Sequence, residues 1–359
     1  MRYGKKFVTL QPMQTPIDFV ITWVDSSDEA WQASFAEYFT GEVTNRIRNR
    51  YRQADTLGYW FRLVEKNAPW VNHIYLVTNG QTPGSLPLLQ QLPIWQKVTI
   101  VHHEDFMPHD ILPTFSSVAI EMYLHRIKGL AEHFVYFNDD MFITGPVEPE
   151  YYFREGLPVV HNQEQPIPLP RLDETIGYGA SLREYCNVAV INKHFDRREV
   201  YKQSLEQDGI DRWHGPHLNE AERRYYDRMA ECPRFGTFAE HHTGRRLLKS
   251  TYEEIWQKEP ELLRKASARF RQDMGNNIPL FSMWQIASNR FWPDTLGLDK
   301  MRIDVKPKEM GRVIMALRHP AVKSLCLNDS PAVSDDEYNE MMAVIREELE
   351  KLLGLGNRE

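Results

Sequence analysis

Four short runs of β-branched and aromatic residues, with helix-like stretches between them, determine the fold class that we expect. They are residues 17–24 (IDFVITWV), 73–78 (HIYLVT), 98–101 (VTIV) and 134–137 (FVYF). The intervening sequence includes a stretch with the composition of a helix at residues 117–127. Strands that alternate with helices indicate a sheet whose faces are covered by helices. We therefore predict a Rossmann-like α/β fold with a mainly parallel sheet flanked by helices and a largely helical insertion or subdomain.

The chain beyond the fourth run is less regular. Residues 146–250 are rich in Pro, Arg and Tyr and contain one more strand-like run, residues 187–191. Residues 251–295 have the apolar spacing of helices. We predict a Rossmann-like part at residues 1–145, an irregular insertion at 146–250 and a helical part at 251–359, which together form one domain.

The last element of the chain has a clear beginning and a clear apolar face. Ser334 and Glu337 have the spacing of a capping box, which predicts a helix start. An apolar stripe at helical spacing follows, formed by Met341, Ile345, Leu349 and Leu352. We expect this helix to pack on the rest of the protein; a partner-binding role is the alternative.

Polar residues cluster where each of the four runs stops. The clusters are Asp25; Asn79, Gly80 and Gln81; His102 and His103; and Asn138, Asp139 and Asp140. Open α/β sheets bind ligands in the crevice beyond the carboxyl ends of their strands. Turn-forming residues also end strands for local reasons, but four clusters together favour one binding site.

The sequence Asn138-Asp139-Asp140 is the strongest of these clusters. Two carboxylates and an amide between apolar runs are hard oxygen ligands, which Mg²⁺ or Mn²⁺ prefers. Because adjacent strand residues point to opposite faces, we expect one Asp to face the metal and the other to brace the loop. A surface turn without a ligand is the alternative for so short a motif.

Asp25 ends the first run and offers a carboxylate for two kinds of chemistry. It could bind ribose hydroxyls, or act as a base if burial raised its pKa. A local role is the alternative for this stretch, because Ser26, Ser27 and Asp28 precede a helix-like segment and could cap it.

Several arginines have the chemistry that a diphosphate requires. Guanidinium groups present planar donors that match phosphate oxygens, and Arg50, Arg52 and Arg62 offer them near the second run. Arg269 and Arg271 could neutralise charge on a transferred phosphoryl group. Each of these signals is weak alone, since an exposed Arg is usually only solvated.

Two further clusters have polar groups that could move a proton or bind substrate. His214 and His217 flank a Gly-Pro turn, and a histidine near its ordinary pKa can take a proton from a sugar hydroxyl. Asn328 and Asp329 form another oxygen-rich end after an apolar run. Both clusters are candidates for the same site.

Charge, cysteine content and hydropathy limit the partners and the location. The net charge of −7 disfavours nucleic-acid binding, which needs basic surface to neutralise phosphates. Three widely spaced cysteines indicate neither a zinc motif nor a disulfide framework, and they fit a reducing compartment. The N-terminal residues lack the apolar core of a signal peptide, and no run is long enough to span a membrane. We predict a cytoplasmic protein, with a peripheral position at the inner face of the membrane left open.

In combination and in order, these motifs resemble the Stealth family. That family includes bacterial capsule and exopolysaccharide phosphotransferases and the catalytic subunit of animal N-acetylglucosamine-1-phosphotransferase. The similar segments are IDFVITWVDSSD (17–28); NRYR (49–52), APWVNHIYLVTNGQTP (68–83) and the stretch from LPTFSS to NDDMFI (112–143); HGPH (214–217) with RFR (269–271); and SLCLND (324–329).

The resemblance implies a metal-dependent phosphotransferase. It would transfer a sugar 1-phosphate from a UDP-sugar to a hydroxyl of an oligo- or polysaccharide acceptor. The acceptor would attack the phosphorus attached to the sugar, so that UMP leaves and a phosphodiester forms. Such phosphoryl transfer depends mostly on positioning and charge stabilisation, which fits a metal ion, cationic side chains and one base. Capsule or exopolysaccharide synthesis is the process that the resemblance implies.

The resemblance also assigns expected roles to residues. Asp139, Asp140 and Asp329 would hold Mg²⁺ or Mn²⁺, His214 would be the general base with His217 as second choice, and Arg271 or Arg269 would hold the transferred phosphoryl. Asp25 would act at the catalytic centre or line the pocket. The residues expected to bind substrate are Asn49, Arg50, Arg52, Arg62, Asn79, Gln81, Thr114, Ser116, Ser117, Glu121, Asn138 and Asn328.

Two departures from the family pattern leave alternatives open. Residues 55–58 read Asp-Thr-Leu-Gly where the family usually has Gly-Glu-Leu-Arg, which leaves the choice of donor or acceptor open. The arginine of the third block is usually followed closely by an Asp, and either Asp273 or Asn277 could occupy that place. The alternatives to a sugar-1-phosphate transferase are a metal-dependent glycosyltransferase that releases UDP and a noncatalytic protein that binds nucleotide sugars.

Overall fold

The computed structural model describes residues 15–52, 54–167, 178–208, 211–213, 218–229, 231–240, 242–295 and 297–355. The strands are β1 Ile17–Thr22, β2 Ile74–Thr78, β3 Val98–His102, β4 His133–Phe137, β5 Met141–Ile143, β6 Phe153–Arg154, β7 Leu157–Val160, β8 Glu164–Gln165, β9 Thr237–Phe238, β10 Arg245–Leu248, β11 Trp292–Pro293, β12 Lys300–Asp304 and β13 Ser324–Asn328. The helices are α1 Glu29–Tyr38, α2 Asn45–Arg48, α3 Leu57–Asn67, α4 Leu86–Leu89, α5 Ser117–Tyr123, α6 Tyr178–His194, α7 Arg197–Asp208, α8 Glu220–Met229, α9 Lys249–Lys258, α10 Pro260–Ala266, α11 Pro279–Ala287, α12 Met310–Arg318 and α13 Asp335–Leu353.

A five-stranded sheet with the order β10-β4-β1-β2-β3 forms the centre of the fold. The strands β1 to β4 correspond to the four runs expected from the sequence, and they pair in parallel. The carboxyl ends of these four strands therefore lie at one edge of the sheet. The prediction of an α/β fold with a mainly parallel sheet is confirmed.

The fifth strand, β10, runs antiparallel to β4 at the edge of the sheet. Arg245 is paired with Tyr136, near the carboxyl end of β4, and Leu248 is paired with His133 at its start. The residues that precede β10 therefore lie at the same edge as the residues that follow β1 to β4. Open α/β sheets bind ligands at this edge.

A second, three-stranded sheet brings the end of the chain to this edge. It has the order β12-β13-β5, with β12 parallel to β13 and β5 antiparallel to it. Only a three-residue turn separates β5 from β4, so this pairing places the end of β13 beside the end of β4. The division at residues 145 and 250 stays a prediction.

Apolar side chains cover both faces of the central sheet. Phe19 and Ile21 of β1 belong to one buried cluster, which includes α3 and the apolar face of α13. Val20 points the other way and packs with α5, α9 and α11. This alternation follows from the two-residue period of a strand, and it accounts for the nearly continuous apolar runs in the sequence.

One predicted element is wrong and another is only partly right. Residues 187–191 were expected to form a strand, but they lie inside helix α6. Val188 and Ile191 lie one helical turn apart and are both buried, so β-branched residues serve here as the packed face of a helix. The stretch 251–295 is helical only in part, because a segment without helix, 267–278, separates α10 from α11.

The last helix has the start that its sequence predicts. The hydroxyl of Ser334 accepts a hydrogen bond from the backbone N–H of Glu337, and the Glu337 carboxylate accepts from Ser334. Met341, Ile345 and Leu349 are buried. Among the residues that the structure describes, no helix combines the length and the apolar character needed to cross a membrane.

Candidate functional site

A cavity of about 390 Å³ opens at the carboxyl edge of the central sheet. Residues that follow β1, β2 and β4 line it, together with the start of α5 and the residues around the end of β13. The site residues predicted from sequence that line this cavity are Asn49, Arg50, Arg52, Asn79, Thr114, Ser116, Ser117, Glu121, Asn138, Asp139, Asp140, Arg271, Asn328 and Asp329. Segments that are far apart in the chain therefore converge on one cavity.

Three carboxylates meet on one side of the cavity. Asp139 and Asp140 occupy the turn between β4 and β5, and Asp329 follows β13. The backbone N–H of Leu327 donates to the carbonyl of Asp140 over 2.9 Å, which fastens the turn to β13. Both Asp139 and Asp140 line the cavity, unlike the expectation that one would turn away, because the alternation of side chains holds in a strand and not in a turn.

The surroundings of these carboxylates disfavour their negative charge. Burial, and then the negative charge of Asp140, raises the pKa of Asp139 to about 7. Burial also raises the pKa of Asp140 to about 6 and that of Asp329 to about 6. The side chain of Asp139 is exposed towards the cavity, but protein atoms surround it at longer range. A bound cation would reverse this effect by stabilising the ionised carboxylates.

These carboxylates fit a hard divalent cation. Oδ1 of Asp140 and Oδ2 of Asp329 are buried oxygen atoms with no hydrogen-bond partner among the described residues. Buried polar atoms are nearly always satisfied in proteins, so two such oxygens beside one cavity indicate a ligand-binding position. Carboxylate oxygens are the ligands that Mg²⁺ and Mn²⁺ prefer.

A second group of potential ligands shares Asp140. Ligand atoms of Asp140, His242 and Cys326 lie within 4.8 Å of one another. The Cys326 thiol donates to Oδ2 of Asp140 over 3.4 Å, and burial raises the pKa of this thiol well above its ordinary value. A mixed oxygen, nitrogen and sulfur set is typical of zinc, but a protonated thiol is a poor metal ligand.

Arg52 connects the second predicted block to the end of the chain. Its guanidinium lies 3.4 Å from Asp329 and 3.1 Å from Asp335, and it stacks over the ring of Tyr338 at 4.6 Å. It also donates to the carbonyl of Val333 over 3.1 Å. Arg52 thus orients Asp329 at the cavity in addition to lining the cavity itself.

His242 lies on the cavity wall because of the direction of β10. It precedes this antiparallel strand, and so it reaches the same edge as the turn that contains Asp140. Gly244 allows the segment to approach the sheet, since a Cβ atom there would lie 2.5 Å from the ring of Phe137. Burial, and then the positive charge of nearby arginines, lowers the pKa of His242 to about 3. The imidazole is therefore neutral at pH 7 and has a free lone pair.

Arg271 and Glu121 form the charged wall near His242. Nε of Arg271 is buried and has no hydrogen-bond partner among the described residues. Burial raises the pKa of Glu121, while the positive charges of Arg271 and Arg245 oppose this shift. Tyr136 donates to Glu121 over 3.3 Å. Arg271 therefore retains donor capacity towards the cavity.

Four predicted residues do not belong to the described cavity lining. The backbone N–H of Asp25 donates to Gln81, whose side-chain amide donates back to the Asp25 carbonyl, and the Asp25 carboxylate accepts from Ser27. Arg269 donates to two backbone carbonyls, and Arg62 lies on helix α3. His214 and His217 lie outside the described residues. Asp28, by contrast, caps α1 as its alternative role predicted.

Several cavity residues were missed at the sequence level. They include Tyr51, His242, Arg245 and Tyr338. His103, from the cluster that ends the third run, and Asn277 also line the cavity, although neither was assigned a role there. To predict His242 as a cavity residue, one would have to recognise that the sequence RRLL after it forms a short strand and that this strand runs antiparallel to β4.

Comparisons with known proteins agree with the resemblance. The models of two family regions match the chain: Stealth protein CR1, conserved region 1, at residues 15–38, and Stealth protein CR2, conserved region 2, at residues 50–160. The receptor polysaccharide phosphotransferase WefC of Streptococcus oralis is 35% identical over 331 residues, which cover 89% of this chain and 92% of WefC. The capsular polysaccharide phosphotransferase WcwK of Streptococcus pneumoniae is 35% identical over 328 residues, with the same coverage of both chains.

One more relative and one solved structure complete the comparison. The exopolysaccharide phosphotransferase cps2G of Lactiplantibacillus plantarum is 33% identical, and the match covers 92% of each chain. The solved galactosyltransferase LgtC, in complex with donor and acceptor sugar analogs, has a TM-score of 0.40 and 10% identity, with 91% of this chain and 95% of LgtC covered. The prediction that the protein is an enzyme, a phosphotransferase, is confirmed by its relatives. The chain belongs to the Stealth family.

Proposed function

We propose that the protein transfers a sugar 1-phosphate from a UDP-sugar to a hydroxyl of a saccharide acceptor, releasing UMP, in capsule or exopolysaccharide synthesis. The observation that carries the proposal is the combination of two unpartnered carboxylate oxygens, on Asp140 and Asp329, with the unpartnered Nε of Arg271 in one cavity. The relatives of this chain are named polysaccharide phosphotransferases, which supports this reaction class.

The cavity has the groups that a nucleoside diphosphate sugar requires. Amide and hydroxyl groups at the strand ends and at the start of α5 can bind the ribose and the sugar, among them Asn79 and Ser117. Arg271 offers cationic donors for phosphate oxygens, and Arg50 is a second candidate. A volume of about 390 Å³ falls within the ordinary range for ligand pockets.

The transfer step would be an in-line displacement at phosphorus. The acceptor hydroxyl oxygen forms a bond to the phosphorus that carries the sugar. The bond between this phosphorus and the oxygen shared with the UMP phosphate breaks, and UMP leaves with that oxygen and its electron pair. The hydroxyl proton passes to an imidazole nitrogen of His242 on the cavity wall, because the negative charge of the bound diphosphate would raise the low pKa of this imidazole. Arg271 stabilises the charge on the transferred phosphoryl group.

Asp139, Asp140 and Asp329 would hold a divalent cation, for which we propose Mg²⁺ or Mn²⁺. When bound, this ion neutralises the negative charge of the diphosphate. Arg52 keeps Asp329 in place for this role, and the thiol of Cys326 contacts one oxygen of Asp140. The group formed by Asp140, His242 and Cys326 is the competing set, so activity with Zn²⁺ alone would favour that set instead.

The nucleotide product distinguishes the candidate functions. The purified protein is incubated with a panel of UDP-sugars, with Mg²⁺ or Mn²⁺, and with oligosaccharides, and the released nucleotides are separated. Acceptor-dependent UMP is the expected result. Release of UDP would instead establish a glycosyltransferase. A UDP-sugar that raises the melting temperature without any nucleotide release would indicate a noncatalytic binding protein.

Two controls make the assay specific to this site. Asp140→Ala protein, prepared in the same way, excludes a contaminating hydrolase if its UMP release is lost. A reaction without acceptor measures the rate at which water replaces the acceptor. Subtraction of this rate gives the transfer that depends on the saccharide.

A further inference from the structure

A second, smaller cavity lies directly behind the wall of the first. Its volume is about 190 Å³, roughly half that of the larger cavity. Three residues, His242, Arg245 and Pro279, line both cavities. The group that we propose as the base therefore stands at the border between two binding spaces.

Arg246 gives this second cavity an unsatisfied donor. This residue is only 7% exposed, and both Nε and Nη2 of its side chain are buried with no hydrogen-bond partner among the described residues. The guanidinium stacks on the rings of Tyr151 and Tyr152 at 5.4 and 5.2 Å, which fixes its plane. Leaving such donors unsatisfied is costly, so a ligand oxygen at this place would be bound strongly.

The other cations of this cavity are already neutralised. Lys300 lies 2.7 Å from Asp294 and 2.9 Å from Asp299. Arg245 forms an ion pair with Glu240. The second cavity therefore lacks the surplus of positive charge that a diphosphate requires, and it suits an uncharged polar ligand better.

The lining combines apolar surface with groups that accept or donate hydrogen bonds. Phe238 and Met283 provide apolar contact, while Glu184, Gln165 and Ser282 provide polar atoms. A saccharide has hydroxyl groups around its edge and C–H groups on its ring faces, so it matches such a mixed lining.

We infer that the second cavity binds the terminal sugar of the acceptor, with Arg246 donating hydrogen bonds to its oxygen atoms. This inference rests on the proposed function for its chemistry, because the sugar hydroxyl must reach the donor phosphorus through the shared border. His242 is at that border and can receive the hydroxyl proton. The cavity itself is formed by β7, β9, α11 and the residues around them, separately from the carboxylates of the first cavity.

Two variants test the acceptor site in the full-length protein. Arg246→Gln removes the cationic donors, and Ala239→Phe fills the second cavity without removing a buried polar group. UMP release is measured against donor and acceptor concentration, with methyl hexosides and methyl N-acetylhexosaminides as minimal acceptors. We expect Arg246→Gln to raise the acceptor KM by about tenfold or more, with a donor KM that changes less than about threefold. Ala239→Phe should abolish the stimulation by acceptor.

A matched control and a second readout separate the possible failures. Arg154→Ala removes an exposed arginine whose Nε donates to the carbonyl of Glu150, and it should leave both KM values unchanged. Saturation-transfer NMR with the same methyl glycosides, in the presence of saturating UDP, detects sugar binding without turnover. Equal increases of donor and acceptor KM in both variants would overturn the inference. It would also be overturned if Ala239→Phe did not reduce the saturation-transfer signals of the methyl glycosides. The wild type could release no acceptor-dependent UMP and still give saturation-transfer signals from the methyl glycosides. If Ala239→Phe loses those signals, the sugar site is supported and the proposed reaction is refuted.

Discussion

Arg269 and Arg271 are two residues apart, but their guanidinium groups serve different parts of the protein. Arg269 donates to the carbonyls of Leu112 and Pro113 over 3.0 and 2.8 Å and stacks over the ring of Tyr38. Arg271 lines the large cavity and keeps a buried Nε without a partner among the described residues. The sequence left open which arginine contacts the phosphoryl group, and this geometry favours Arg271.

Substitution of Arg271 should therefore affect catalysis, whereas substitution of Arg269 should affect stability. We expect Arg271→Gln to lower kcat/KM by about 100-fold or more with little change in melting temperature, because the positive charge that stabilises the transferred phosphoryl group is lost. Arg269→Gln should cost about 1–3 kcal/mol in the free energy of unfolding, because two backbone carbonyls lose their donor. Steady-state kinetics and thermal unfolding of both variants check this. A large kinetic loss in a stable Arg269→Gln protein would reverse the assignment.

The role of Asp140 in metal binding can be measured separately from its effect on turnover. Asp140→Asn keeps the size of the side chain and removes its charge, so we expect turnover to fall by about 100-fold or more. Since burial raises the pKa of Asp140 to about 6, removal of this charge at pH 7 should not lower the stability of the metal-free protein.

The measurement is the rise in melting temperature on addition of Mg²⁺ or Mn²⁺, compared between the wild type and Asp140→Asn. The rise should be reduced in the variant. Asp336→Asn, at an exposed position of α13, serves as the matched control. A full metal shift in Asp140→Asn would remove this carboxylate from the ion site.

Much of the fold could be predicted because its signals are local. The four buried strands are nearly continuous apolar runs, and the capping box of Ser334 marks the start of α13. The strand ends also predicted which residues would meet, since parallel strands share one carboxyl edge. Asn138, Asp139 and Asp140 consequently line the cavity, as do most of the other residues chosen from sequence.

The features that were not predicted depend on contacts between distant segments. Strand β10 has only four residues and begins with two arginines, so its sequence does not indicate a strand. Its place beside β4 brings His242 to the cavity, and no local pattern contains that information. Similarly, the β-branched residues of α6 form a helix because this helix packs on α11, and Asn187 of α6 donates to Asn277, which precedes α11. Tertiary packing overrides local propensity at both places.

His242 and His214 are now competing candidates for the general base. We expect His242→Gln to reduce acceptor-dependent UMP release by about 100-fold or more, because no other described imidazole lies in contact with both cavities. His214→Gln is the parallel variant, since the sequence alone favoured that residue. Partial rescue of a His242→Ala protein by added imidazole would indicate a proton-transfer role. Loss of activity in His214→Gln with an active His242→Gln would restore the sequence prediction.

The stability of the protein should also depend on pH through a histidine outside the cavity. His125 is 8% exposed and stacks on Tyr252, and burial followed by the charges of Arg126 and Lys249 lowers its pKa to about 3. The unfolded chain binds a proton at this histidine below about pH 6.5, whereas the folded protein does not until near pH 3. Stability is therefore lost as the pH falls through this window.

Replacement of His125 by Phe isolates this effect. The aromatic ring can keep its stacking on Tyr252, while the titrating nitrogen atoms are removed. Between pH 6.5 and 4.5 we expect the free energy of unfolding of the wild type to fall by up to roughly 2 kcal/mol more than that of His125→Phe. Denaturant unfolding at a series of pH values measures the difference, and comparison of the two proteins cancels the opposite contribution of the cavity carboxylates. Identical pH dependence in both proteins would show that His125 is protonated in the folded state.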